Sequence, residues 1–290
     1  WTIDTVAPNT TITAHPDDPS NSANASFSFM STETGSTFEC RLDGAAFGPC
    51  TSPRAYTGLV DGQHTFEVRA TDAADNTDPT PASYTWTIDT LAPDTTITDR
   101  PDDPSNSANA SFSFSSTETG STFECRLDGG SFSACTSPQT YAGLIDGSHT
   151  FEVQAIGPAG NPDPTPASYT WTIDTVAPNT TITAYPDDPS DSANASFSFT
   201  STETGSTFEC RLDGGTFSAC TSPQTYTGLV DGIHTFEVRA TDAAGNTDPT
   251  PASYTWTIDT AAPDTIITDQ PDDPSDSPNA SFSFTSTKPG

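Results

Sequence analysis

The string "WTIDT" begins at Trp1, Trp86, Trp171 and Trp256, so the chain repeats every 85 residues without insertion or deletion. A fixed period constrains the fold more than composition does, because each copy must bury its own apolar face or lend it to a neighbour. Three full periods leave 35 of the 290 residues as the start of a fourth. Eighty-five residues bury a modest core and fold as a small independent domain. The period is too long for a solenoid turn, which closes its core only against its neighbours. The expected organisation is beads on a string.

Within each copy the apolar residues alternate. Phe27 and Phe29 share a face, as do Phe38, Cys40 and Leu42, then Phe66, Val68 and Ala70, then Tyr84, Trp86 and Ile88. Period-two alternation among Thr, Phe, Tyr, Val and Ile is the pattern of a half-buried antiparallel strand. Between these runs lie "PDDPSNSA", "STETGS", "LDGAA", "LVDGQ" and "DAADNTDPTPAS", made of turn-forming residues. The spacing predicts seven strands, near Thr10–Ala14, Ala25–Thr32, Thr37–Leu42, Ala46–Thr51, Ala55–Leu59, His64–Thr71 and Ala82–Thr90, in a β-sandwich. Residues 1–7 read as the last strand of a preceding repeat, with Trp1–Val6 as its lone strand. Residues 8–92, 93–177 and 178–262 read as full repeats, and 263–290 as the first strands of an incomplete fourth. Both ends fall inside a repeat, which points to a window of a longer protein.

The chain carries 39 carboxylates against 8 Lys and Arg, a net charge of −31. A nucleic-acid binder needs the opposite sign, and anionic lipid surfaces are disfavoured likewise. No stretch approaches the roughly 18 apolar residues of a membrane span. Cations are the favoured small partners.

Each copy holds two cysteines ten positions apart, on either side of an Asp-Gly turn: Cys40 and Cys50, Cys125 and Cys135, Cys210 and Cys220. Such a turn brings two strands into register, and a disulfide within each pair fits that hairpin. Free buried thiols, and metal or redox chemistry, are the competing readings. Zinc calls for four ligands, commonly from paired C-x2-C, and redox chemistry for C-x-x-C. A disulfide in every copy implies an oxidising compartment.

Catalytic patterns are absent. His64, His149 and His234 occupy one repeat position at the mouth of a strand and read as hydrogen-bonded strand-end residues. No Ser-His-Asp order, nucleophile elbow or metal-spaced His pair occurs. An enzyme needs one site, whereas near-identical copies serve a property that grows with copy number. "DAADN" from Asp72 and "DAAGN" from Asp242 are open to two readings, plain turn chemistry or calcium ligation by hard oxygen donors. The second copy reads "GPAGN", with Gly157 in place of the first Asp; if that Asp is a ligand, its module should be the weakest binder. Sandwich topology gathers Asp17, Asp18, Asp61 and Asp89 of the first repeat opposite Glu118 and Asp163 of the second. Either salt screens these carboxylates, or calcium bridges them. Asn9, Asn24, Asn109, Asn179, Asn194 and Asn279 each begin an Asn-x-Ser/Thr glycosylation sequon.

The stretch "GLVDGIHTFEVRATDAAGNTDPTPASYTWTIDTAAPDT" resembles the bacterial Ig-like tandem repeats of large secreted and cell-surface proteins, in which "FECRLDGG…C", "DGxHTFEVRATDAAGN" and "DTxAPxT" recur. The likeness runs over essentially the whole chain. It implies an all-β tandem array of Ig-like or fibronectin-III-like sandwiches, and calcium at the module junctions of some relatives. The "GPAGN" of the second copy departs from the pattern. The expected function is structural: an extended acidic stalk or filament, extracellular or at the cell surface. The alternative is an adhesin whose repeats bind glycan or a partner cell surface. The expected partners are neighbouring repeats and other copies of the chain, end to end or laterally. Nucleic acid and membrane insertion are not expected.

Overall fold

The computed structural model describes residues 3–288, which contain strands, turns and no helix. The chain divides into two compact units, Trp1–Ile173 and Asp174–Gly290. In the first repeat the strands are β1 Thr10–Ala14, β2 Ala25–Ser31, β3 Thr37–Leu42, β4 Gly48–Cys50, β5 Arg54–Tyr56, β6 Gly62–Thr71 and β7 Ala82–Ile88. In the second they are β8 Thr95–Asp99, β9 Ala110–Ser116, β10 Thr122–Leu127, β11 Ser133–Cys135, β12 Gln139–Tyr141, β13 Gly147–Ile156 and β14 Ala167–Ile173. In the third they are β15 Thr180–Ala184, β16 Ala195–Ser201, β17 Thr207–Leu212, β18 Ser218–Cys220, β19 Gln224–Tyr226, β20 Gly232–Thr241 and β21 Ala252–Ile258.

Each repeat is an antiparallel sandwich. A four-stranded sheet in the order β4-β3-β6-β7 faces a three-stranded sheet in the order β1-β2-β5, and the other copies repeat this order. The inward residues are those the alternation selects. Phe27, Phe66, Val68, Trp86 and Ile88 are buried in the first repeat, with Phe27 stacked on Phe66 at 4.1 Å between ring centroids. Equivalent, separate clusters fill the second and third repeats. A buried aromatic of this kind costs about 3–5 kcal/mol to truncate to Ala.

The structure shortens four of the expected strands and lengthens a fifth: Ala25–Thr32 ends at Ser31 and Ala82–Thr90 at Ile88. Ala46–Thr51 contracts to Gly48–Cys50, because the positive-φ pair Asp43 and Gly44 forms the turn and Ala45 bonds back to Leu42. Ala55–Leu59 becomes Arg54–Tyr56, ending before Gly58 at φ 65°. β6 begins two residues early, at Gly62, where it pairs with Ile88. Of the lone strand expected over Trp1–Val6, Trp1 and Thr2 lie outside the described residues, and Ile3–Val6 form no strand. The expected first strands of a fourth repeat are present as a hairpin, β22 Thr265–Asp269 with β23 Ser283–Ser286. Its apolar residues Ile267, Phe282 and Phe284 are exposed, whereas Phe27 and Phe29 at the corresponding positions are buried.

One edge of each sandwich is closed by the acidic loop "PDDPS". Ser20 N donates to Thr87 O and Asp89 N to Ser20 O, both at 2.9 Å, while Thr87 N donates to Asp18 Oδ1 at 2.9 Å. The Asp18 carboxylate and the Ser20 backbone of this loop are thus structural, and they cover the β7 edge that would otherwise recruit a strand. The opposite edge, formed by β4 and β5, has no such cover.

Candidate metal centre at the module ends

In each copy the cysteine pair forms a disulfide across the hairpin, Cys40–Cys50, Cys125–Cys135 and Cys210–Cys220, with Cα atoms 5.8 Å apart. Every cysteine is paired within its own repeat, which removes thiol chemistry from the candidate functions. The histidines likewise have structural partners. His64 contacts Asp43 Oδ2 through Nδ1 and Val60 O through Nε2, both at 2.8 Å, and His149 and His234 do the same with Asp128 and Ile145, and with Asp213 and Val230. Both partners of each ring are acceptors, so the ring satisfies both only as the doubly protonated cation. Burial opposes that cation at His64, but the bonds to Val60 and Asp43 outweigh it and raise the pKa above 6.5.

Carboxylates converge at the other end of the sandwich. Oxygens of Asp4, Glu33 and Asp72 lie within 4.8 Å of one another, as do those of Asp174, Glu203 and Asp242. Three short pieces of chain build each site. Glu33 sits in the β2–β3 turn, held by Glu33 N to Ser31 Oγ at 3.2 Å and Ser36 Oγ to Glu33 O at 3.0 Å. Asp72 opens the β6–β7 loop. It is buried, and its carboxylate accepts from Ala74 N at 2.7 Å, from Asn76 N at 2.8 Å and from Asn76 Nδ2 at 2.8 Å. Asp4 comes from the segment that enters the repeat, and Asn76 Nδ2 also donates to its carbonyl at 3.2 Å. Asn246 makes the equivalent bond to Asp174 O at 2.7 Å.

The electrostatics of the cluster are strained in the way a cation relieves. Burial, then repulsion from Asp4 and Asp72, pushes the Glu33 carboxyl above its usual range, and burial with Asp174 and Asp242 does the same to Glu203. Asp72 is held below its usual range, chiefly by the Asn76 side chain. The chain's few cations lie elsewhere. Arg41 and Arg69 pair with Glu67 and Glu39 on the outer face of the four-stranded sheet, over the Phe47 ring. Hard, closely spaced carboxylate oxygens suit calcium, which takes six to eight of them.

The second repeat is built differently. Asn161 Nδ2 still reaches the entering segment, at Asp89 O (2.7 Å) and Leu91 O (2.9 Å), and the Glu118 turn is unchanged. Gly157 contributes no carboxylate. Glu118 leans into the vacated space: a Cβ on Gly157 would lie 2.3 Å from Glu118 Oε2, an oxygen that is buried without a hydrogen-bond partner. Burial and the nearby Asp89 raise the Glu118 pKa.

Of the sequence candidates, Asp89 and Glu118 are brought together, and Asp72 and Asp242 each join a triad. Asp18, Asp61 and Asp163 have separate employment. Asp18 binds Thr87 N, and Asp61 accepts from Thr90 N and Oγ1. Asp17 is exposed and lies in the closing loop. Asp163 is buried, with Oδ2 accepting from Thr95 N at 2.9 Å and Oδ1 from Thr165 N at 2.8 Å. Burial pushes its pKa up, and these bonds more than offset it. Arg100 stacks on the Tyr169 ring. Sequence reasoning missed Asp4, Glu33, Asp174, Glu203 and the asparagines. The repeat itself held the signal, because Asp89 and Glu118 shifted by one period give these acids. Among the sequons, Asn24, Asn109 and Asn194 accept from Gly58, Gly143 and Gly228 through Oδ1. Asn9 and Asn179 donate their backbone N–H to Thr32 and Thr202, and Asn279 is exposed.

No family model matches the chain, and no curated protein matches it. Solved structures similar to it include the fibronectin-III-like modules of Clostridium thermocellum CbhA, at 16% identity and a TM-score of 0.37, covering 57% of this chain and 94% of that one. A 1.5-MDa bacterial ice-binding adhesin aligns at 18% identity and 0.39, covering 89% and 100%. A Ca2+-stabilized adhesin with which an Antarctic bacterium binds ice aligns at 23% identity and 0.41, covering 91% and 77%.

Proposed function

We propose that the chain is a structural segment of an extracellular or cell-surface protein: a stalk or filament of tandem β-sandwich modules whose joints take up calcium. One observation carries the reading. Three nearly identical modules each own a core and a disulfide, and the first and third share a carboxylate triad, so the property being multiplied is length or ion load. The disulfides suit an oxidising compartment. The modules are numbered 8–92, 93–177 and 178–262, with the partial repeat 263–290 after them.

The triads Asp4–Glu33–Asp72 and Asp174–Glu203–Asp242 each tie an entering segment to the sandwich that follows it within its own unit. A divalent cation there neutralises repelling carboxylates and stiffens the joint, while the Gly157 joint offers one ligand fewer. At a concentration about 100 times its Kd, a bound ion stabilises its module by about 2.7 kcal/mol. Calorimetric titration tests this, with two calcium ions expected per chain and none in Glu33→Gln/Glu203→Gln. Small-angle scattering with calcium and then with chelator reads the stiffening. An unchanged maximum dimension, with no calcium-dependent rise in Tm, leaves the carboxylates as solubilising charge.

A further inference from the structure

The copies are nearly identical, and where they differ is informative. Twelve positions distinguish the first from the third, and six of them lie on the uncovered edge: 45, 46, 48 and 49 in and before β4, and 54 and 55 in β5. The second and third copies agree with one another at five of those six, and the edge therefore comes in two versions. In the first repeat its middle residue is Pro49; in the others it is Ala134 and Ala219.

The ladder shows what that exchange does. Asp43 N bonds to Thr65 O, and β3 pairs Glu39 with Arg69 in the same register, so the odd-numbered residues of β3 bond towards β6. In an antiparallel ladder bonded and non-bonded pairs alternate. The Glu39–Pro49 pair is therefore non-bonded, and the N and C=O of residue 49 point out of the sheet. Proline is at home there because it has no N–H to offer. The same register in the other repeats aims the N–H and C=O of Ala134 and Ala219 outward, as an open strand edge. Beside each edge runs a groove floored by Phe123 and Cys135, or by Phe208 and Cys220, with Ser and Thr walls; none of its lining residues is charged.

We infer that β11 and β18 are docking edges for a second copy of this chain, which adds its own β11 or β18 antiparallel to them, while Pro49 blunts the same edge in the first repeat. Antiparallel pairing at a single outward residue is self-complementary: the Ala134 N–H donates to the partner's carbonyl, and the Ala134 C=O accepts from the partner's N–H. Self-complementarity favours this occupant, and charge restricts it to this seam. Two chains of net charge −31 repel over most of their surfaces, and an uncharged seam lets them approach without opposing carboxylates. The contact is small, which makes it weak and dependent on more than one edge.

Sedimentation equilibrium of the full chain at rising concentration tests the inference, in about 1 M salt where the screening length falls to about 3 Å. The expected result is reversible association that Ala134→Pro/Ala219→Pro weakens about tenfold or more and Pro49→Ala strengthens. Proline already occupies this position in a folded repeat, and circular dichroism confirms the fold of the variants. The exposed residues of the β22–β23 hairpin are common to every variant, so only differences between variants are read. A chain that stays monomeric at millimolar concentration overturns the inference, as does association indifferent to the proline exchanges. Perturbation of β11 amide resonances by oligosaccharide in a monomeric chain assigns the groove to glycan instead, and also overturns it.

Discussion

Asp163→Asn separates a structural carboxylate from a metal ligand. Both oxygens of Asp163 accept backbone N–H bonds, from Thr95 on β8 and from Thr165 in the β13–β14 loop, and Oδ1 also accepts from Thr165 Oγ1 at 3.1 Å. An asparagine amide has one oxygen, so whichever way it turns, its NH2 meets a donor. The variant thus loses one charge-assisted bond outright and leaves a buried donor unpaired. A bond to a charged group contributes about 1.5–3 kcal/mol, and an unpaired buried group costs about 1–3 kcal/mol. These overlap, and the expected destabilisation of the second repeat is about 2–4 kcal/mol. Native-state hydrogen exchange resolves the repeats by peptide. Protection of Phe151–Ile156 in β13 should fall roughly 30- to 800-fold, while Phe66–Thr71 and Phe236–Thr241 stay unchanged. A loss under about threefold refutes the reasoning. A loss seen only in the presence of calcium restores Asp163 as a ligand.

Three further outcomes are expected. The folded pKa of His64, His149 and His234 is raised above 6.5, so their contribution is full below that pH and is lost as pH rises through the folded value; imidazole NMR signals titrating below 6.5 would contradict this. Asp75 holds φ 65° where the other copies have Gly160 and Gly245, so Asp75→Gly should stabilise the first repeat by about 0.5–1 kcal/mol in denaturant melts, and a lower midpoint counts against it. Cys125→Ala/Cys135→Ala opens a ring of about 11 residues and should cost the second repeat about 2.8 kcal/mol; equal hydrogen-exchange protection of all three repeats in that variant argues otherwise.

The sandwich was legible because alternation and period agree. Phe66, Val68 and Ala70, or Trp86 and Ile88, are apolar at every second residue, and a β-strand has no other way to bury them. The disulfides were legible as hairpin geometry. The carboxylate sites were only half legible, since acids are plentiful and their employment depends on where backbone N–H groups point. Asp18, Asp61 and Asp163 look like Asp72 in the sequence, and all four accept hydrogen bonds, but of the four it is Asp72 that lies beside two further carboxylates. The uncovered edge was not legible at all. Its outward N–H follows from ladder register, which only pairing across β3 and β6 fixes.

The small disulfide ring has a mechanical consequence. When a chain of such modules is pulled until one unravels, the ten-residue span between Cys40 and Cys50 stays closed, with its ends 5.8 Å apart. About 75 of the 85 residues then lengthen, to roughly 255 Å at about 3.4 Å each. A reduced module would run about 30 Å further. Each oxidised repeat therefore has a built-in stop, and a strand of many repeats yields in uniform, slightly shortened steps whose length reports its redox state.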